Sequence, residues 1–111
     1  MLHDYVDICR ELVLSTIDSN RYAVFLFGSR ARGNHFPHSD IDIGLWGNEE
    51  MDARTMLDLE EALENSMIPY KVDLVDFKRT DESFRKVALE NIVIWNSPPA
   101  FHWPLTTTTV H

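Results

Sequence analysis

Asp40 and Asp42 stand two residues apart in Asp40-Ile41-Asp42-Ile43-Gly44-Leu45-Trp46, where apolar Ile41, Ile43 and Leu45 alternate with Asp40, Asp42, Gly44 and Trp46. This period of two predicts a strand over 40–46, with both carboxylates on one face and their Cα atoms about 6.5–7 Å apart. Side-by-side carboxylates repel and raise each other's pKa unless a cation relieves them. Hard oxygen donors in an open site suit Mg²⁺, with Mn²⁺ able to replace it. A third acid on a neighbouring strand would complete a two-metal clamp with ions about 3.5–4 Å apart. Asp73 is the best candidate, because Val72 and Leu74 alternate with it in Lys71-Val72-Asp73-Leu74-Val75. Asp76 falls on the Val72 side at the strand end and ranks below it.

The complementary half lies just upstream. Gly28-Ser29 ends an apolar run, Tyr22 to Phe27, and residues 21–39 carry three Arg and no acid. Glycine lets a backbone approach a phosphate closely, and Ser offers a hydroxyl and an N–H at a helix start. Arg30 and Arg32 add positive charge beside that turn. Phosphate oxygens would then meet backbone donors on one side and metal on the other. Such equipment serves attack on the α-phosphate of a nucleoside triphosphate. A P-loop is excluded, because Asn34-His35 follows Gly33 where Lys-Ser/Thr would be needed. His35 and His38 lack a thiol or third His at ligand spacing, so a loop role outweighs zinc.

The elements that must position these groups follow from periodicity. Tyr5, Ile8, Cys9, Leu12, Val13 and Thr16 recur at helical spacing and predict a helix over 4–19. Residues 22–27 read as a buried strand, and Ser29 as the N-cap of a short helix over 30–33. A helix over 51–66 faces Met56, Leu59, Leu63 and Met67 inward, with its acids mostly in solvent. A strand over 70–75, a helix over 81–91 with Phe84, Val87 and Ala88 inward, and a strand over 92–95 complete the pattern. The fold class is α/β (α+β): a small mixed sheet of three to four strands flanked by helices. The short 28–40 link suits antiparallel neighbours, and the helix-bearing 46–70 link suits a parallel crossover.

A chain of 111 residues is one domain, read as 1–96, followed by an extended or disordered tail over 97–111. Phe101, Trp103 and Leu105 make that tail too apolar for a plain linker, and it is expected to dock on a partner or a second copy. Net charge is -8, with nine acids and one Arg over 40–66. Such acidity disfavours binding to nucleic acid or a membrane surface. The single cysteine, Cys9, excludes an internal disulfide and reads as a small buried hydrophobe. No segment approaches the ~18 apolar residues of a membrane span, and a cytoplasmic location is expected.

Gly28-Ser29, ten residues, then Asp40-x-Asp42 resembles the signature of the minimal nucleotidyltransferases (MNT) of the polymerase-β-like superfamily. Leu26-Phe27-Gly28-Ser29-Arg30-Ala31-Arg32-Gly33 and Ser39-Asp40-Ile41-Asp42-Ile43-Gly44 are similar to that family's strand and turn context. The resemblance covers roughly residues 20–95. It implies the nucleotidyltransferase fold, a triphosphate held by Gly28 and Ser29, and metal held by Asp40 and Asp42. Asp73 would be the third carboxylate and help deprotonate an acceptor hydroxyl. Family members of this size resemble the antitoxin half of HEPN/MNT toxin–antitoxin modules. The resemblance therefore implies Mg²⁺-dependent transfer of AMP from ATP to a hydroxyl, a tyrosine by expectation, of a helical HEPN toxin. The chain lacks the helical substrate domain of larger superfamily members, so the acceptor site is expected on a second chain. Two alternatives stand beside this reading: neutralisation by stoichiometric binding, or transfer to a small molecule.

Overall fold

The computed structural model describes residues 4–34 and 36–110. Its elements run α1 (Tyr5–Thr16), β1 (Ala23–Phe27), α2 (Gly28–Arg32), β2 (Ile41–Trp46), α3 (Ala53–Glu64), β3 (Val72–Asp76), a 3-10 turn (Phe77–Arg79), α4 (Glu82–Ala88) and β4 (Val93–Asn96). The strands form one sheet in the order β3-β2-β1-β4. β1 is antiparallel to both β2 and β4, while β2 and β3 are parallel. The two links thus have the senses their lengths imply. No helix among the described residues is long and apolar enough to cross a membrane.

The first sheet face behaves as the alternation predicts. Val24 and Leu26 of β1 join Ile41, Ile43 and Leu45 of β2 beneath α1 and α3, which contribute Cys9, Val13, Leu59 and Leu63. α1, α3 and α4 each start where an aspartate can accept an N–H: Asp4 from Val6, Asp52 from Thr55, Asp81 from Phe84. Burial pushes the Cys9 thiol up to about 12, so it stays protonated and inert as a core residue.

The second face carries an aromatic core of Phe25, Phe27 and Phe77 with Leu89 and Ile92. Phe25 packs edge-on against Phe77 at 4.7 Å between centroids. Its ring lies directly over Gly44, where a Cβ would overlap it. Gly44→Ala therefore must move a fully buried ring, and we expect a loss of about 2–3 kcal/mol, read by urea denaturation. An unchanged midpoint would show that the ring yields freely.

The segment after β4 closes this face. It is not simply extended but turns twice, at 98–101 and 104–107, and between the turns Trp103 packs edge-on against Phe25 at 5.3 Å while Phe101 meets Trp46 at 5.4 Å. Further on, Thr109 bridges Ile92 in parallel, and the Val110 N–H donates to the Ile92 carbonyl at 2.6 Å. The anchors expected to meet a partner lie on the chain's own sheet; Leu105 remains fully exposed.

Several boundaries also differ. α1 ends at Thr16, because Ile17 turns extended to enter the core. α3 stops at Glu64, leaving Met67 exposed. α4 spans only Glu82–Ala88 and buries no residue completely; Ala88 packs on the aromatic core, the partly exposed Phe84 lays its ring against Phe77 at 5.5 Å and Phe27 at 6.0 Å, and Val87 alone of the expected trio points to solvent. Arg85 ties this short helix down, donating from Nη2 to the Phe77 carbonyl at 2.8 Å with its guanidinium over the Trp46 ring at 5.2 Å.

Candidate active site

The carboxylates meet where β2 and β3 begin. Parallel pairing sets Ile41 opposite Val72 and Asp42 opposite Asp73, so the two aspartates share the aromatic face at one level of the sheet. Asp42 is half-buried. Its carboxyl is held above the ordinary carboxylate range, first by burial, then by the charges of Asp73 and Asp40 and a hydrogen bond with Asp73; Arg32 pulls it down. Lys71 flanks the pair, with Nζ 3.5 Å from an Asp73 oxygen.

Asp40 is exposed and precedes the first ladder residue, Ile41. Among the described residues, no group of three or more His, Cys, Asp or Glu side chains is gathered tightly enough to hold a cation as it stands. The donor set nevertheless fits a hard divalent ion: oxygen ligands only, two already paired and repelling, and a third at the open edge. A bound cation would relieve that repulsion.

Asp76 is set apart from this pair. It is buried at the far end of β3 and accepts N–H groups from Met51 at 2.8 Å and Lys78 at 3.1 Å. It holds the entry to α3 and the turn after β3, which is a structural task.

Opposite Asp42 the chain leaves β1 through Phe27 and enters α2 at Gly28. The helix start differs from expectation: Phe27 is the N-cap residue, without a side-chain bond, and Ser29 lies inside the first turn. Gly28 has a φ of 75°, and a Cβ there would collide with the Asp42 carboxylate, lying 3.2 Å from its Cγ. Only glycine brings the turn against the carboxylate in this way. Gly33, also left-handed, closes α2.

The two arginines separate. Arg32 is exposed and electrostatically coupled to Asp42. Arg30, grouped with it from sequence as a phosphate contact, spends its guanidinium on the carbonyls of Ser39 and Pro37. The His38 ring packs near Tyr70 at 5.9 Å, and His35 lies outside the described residues. Tyr70 is a site-flanking residue that sequence reasoning missed; an aromatic just after Pro69 gave no sign of its partners. Trp46 turns away from the carboxylates into the aromatic cluster with Phe77, Phe101 and Trp103.

A mixed four-stranded sheet with paired carboxylates on parallel strands, faced by a glycine turn, defines a nucleotidyltransferase-type site. The chain belongs to the polymerase beta nucleotidyltransferase family, whose model matches residues 15–99. It is 36% identical over 73 residues to the probable protein adenylyltransferase MntA of Haemophilus influenzae, covering 66% of this chain and 64% of that protein. The chain thus spans somewhat under two thirds of that relative's length. Its fold is similar to a crystal structure of a toxin–antitoxin with AMP-PNP, with TM-score 0.63 and 24% identity over 85% of this chain and 73% of that one. It is also similar to a structure of the tri-AMPylated Shewanella oneidensis HEPN toxin in complex with MNT antitoxin, with TM-score 0.57 and 16% identity over 80% and 70% of the two chains.

Proposed function

We propose that this chain transfers AMP from ATP to a hydroxyl of a helical HEPN-type toxin, a tyrosine in our reading, and acts as its antitoxin. The observation that carries the proposal is the Asp42–Asp73 pair set against the Gly28 turn. The protein adenylyltransferase relative and the toxin–antitoxin neighbours support the choice of donor and acceptor.

Gly28 and Ser29, with Arg32 nearby, receive the triphosphate and orient its α-phosphate toward the carboxylates. The acceptor oxygen attacks that phosphorus, the bond to the bridging oxygen breaks, and pyrophosphate leaves. Asp73 takes the proton from the acceptor hydroxyl. Asp40, Asp42 and Asp73 would hold Mg²⁺, which supplies charge neutralisation on the phosphoryl oxygens. The acceptor hydroxyl comes from the partner chain, because the aromatic core and residues 97–110 fill the rest of this face.

Co-expression with a candidate helical toxin tests the reading in cells. Wild type restores growth, and Asp40→Asn/Asp42→Asn loses protection although it still co-purifies with the toxin. Full protection by the double variant would establish neutralisation by binding and overturn the enzymatic proposal.

A further inference from the structure

Asp40 carries an unmet positional demand. It lies one residue outside the β2 ladder, after exposed Phe36, Pro37 and His38 and half-buried Ser39, so sheet hydrogen bonds do not fix it. Two restraints hold the chain there: a local turn, in which the Ser39 N–H donates to the Phe36 carbonyl at 3.0 Å and the Phe36 N–H to Ser39 Oγ at 2.9 Å, and Arg30, which ties that turn to α2. Its Nε and Nη2 both donate to the Ser39 carbonyl, at 3.1 and 2.9 Å, and Nη2 also reaches the Pro37 carbonyl at 3.3 Å. The carbonyl it grips belongs to the residue directly before Asp40.

The other face of the guanidinium is equally committed. Its central carbon lies 5.0 Å from the Tyr70 ring centroid. Tyr70 precedes Asp73 by three residues, and its ring is held edge-on by Tyr5 at 5.6 Å. The Ile41 N–H completes the triangle, donating to the Lys71 carbonyl at 2.9 Å. One side chain on α2, next to Ser29, thereby joins the glycine turn, the approach to Asp40 and Asp42, and the approach to Asp73.

We propose that Arg30 is a positioning residue that registers Asp40 against the Asp42–Asp73 pair, rather than a ligand of phosphate. The proposal rests on the nucleotidyltransferase reading and assigns a separate role within it. A planar fork is needed to serve two carbonyls while stacking on an aromatic ring; an ammonium supplies charge without that geometry.

Arg30→Lys and Arg30→Ala, with exposed Arg32→Gln for comparison, separate the two roles. If Arg30 positions, both Arg30 variants lower kcat for AMP transfer about 10–100-fold, as loss of groups behind a metal ligand does. The KM for ATP then changes less than about threefold, because ground-state phosphate binding is untouched. Amide hydrogen exchange across residues 36–41 accelerates in both, and Mn²⁺ binding to the protein without ATP weakens about tenfold. Tyr70→Leu, which keeps every donor of Arg30 and removes only the stacking ring, shows the same pattern at smaller size; it serves if the Arg30 variants fail to fold. A wild-type kcat in Arg30→Lys, with a raised KM for ATP in Arg30→Ala, would make Arg30 a phosphate ligand and overturn the proposal. Unchanged exchange over 36–41 would do the same. Absence of AMP transfer by the wild-type protein would instead refute the proposed function; exchange and Mn²⁺ binding would still decide what Arg30 does.

Discussion

Asp42→Asn is expected to melt higher than the wild-type protein at neutral pH in the absence of divalent cations, and to lose AMP transfer by about 10³-fold or more. Both effects have one origin. Asp42 faces Asp73 across parallel strands, half-buried and held above the ordinary carboxylate range by burial and by its acidic neighbours. The folded state binds the Asp42 proton more tightly than the unfolded chain does. Stability therefore falls as pH rises through the window between the ordinary and the raised value. Above that window the full penalty persists. Asparagine removes the charge and offers an N–H to Asp73. Because the site is open to water, the gain is modest, about 0.5 kcal/mol or about 2–4 °C in melting temperature. The difference should shrink on acidification toward the ordinary carboxylate pKa and below. Saturating Mg²⁺ should stabilise wild type and leave the variant nearly unmoved. A variant that melts lower than wild type at neutral pH would show that the carboxylates are not in conflict.

Gly28→Ala is the second change with a large expected effect, and Gly33→Ala is its control. The two glycines share a left-handed backbone, with φ values of 75° and 79°. Alanine at either position costs about 1–2 kcal/mol of backbone strain. They differ in surroundings: a Cβ at Gly28 runs into the Asp42 carboxylate, whereas a Cβ at Gly33 has nothing within 4 Å. Both variants should thus lose similar stability in urea denaturation. Only Gly28→Ala pushes the carboxylate away from Asp73, and a displacement near 1 Å lowers transfer about 10²-fold. Equal transfer by the two alanine variants would mean that the close approach of turn and carboxylate has no part in the reaction.

These contrasts also mark what the residue pattern makes legible. Ile41, Ile43 and Leu45 alternate cleanly, so the strand and the direction of Asp42 are readable. Asp73 is readable because the link through α3 imposes a parallel crossover, and parallel pairing then sets it level with Asp42. The second sheet face is not readable from the same period. In Asp42-Gly44-Trp46 the middle position is empty of side chain, and the ring that fills it comes from Phe25 on another strand. α4 is over-read in length because Phe84, Val87 and Ala88 have helical spacing, while only four residues lie between Ala88 and the start of β4 at Val93. The tail is opaque for a related reason. Phe101 and Trp103 announce burial but not the surface that buries them, and that surface is the chain's own. Arg30 is the instructive case at the site. Its place beside Ser29 suggests phosphate, yet its partners are the carbonyls of Ser39 and Pro37, and backbone acceptors leave no mark in residue types.

The proposed function makes one chemical claim: the Asp42–Asp73 pair and the Gly28 turn together move an AMP group from ATP onto a protein hydroxyl. The most direct measurement is the intact mass of a helical toxin partner after incubation with this chain, ATP and Mg²⁺. An AMP-sized increment with matching pyrophosphate release, absent with Asp40→Asn/Asp42→Asn, is the predicted result. An unmodified partner beside wild-type chain, or ATP converted only to ADP and phosphate, would contradict it.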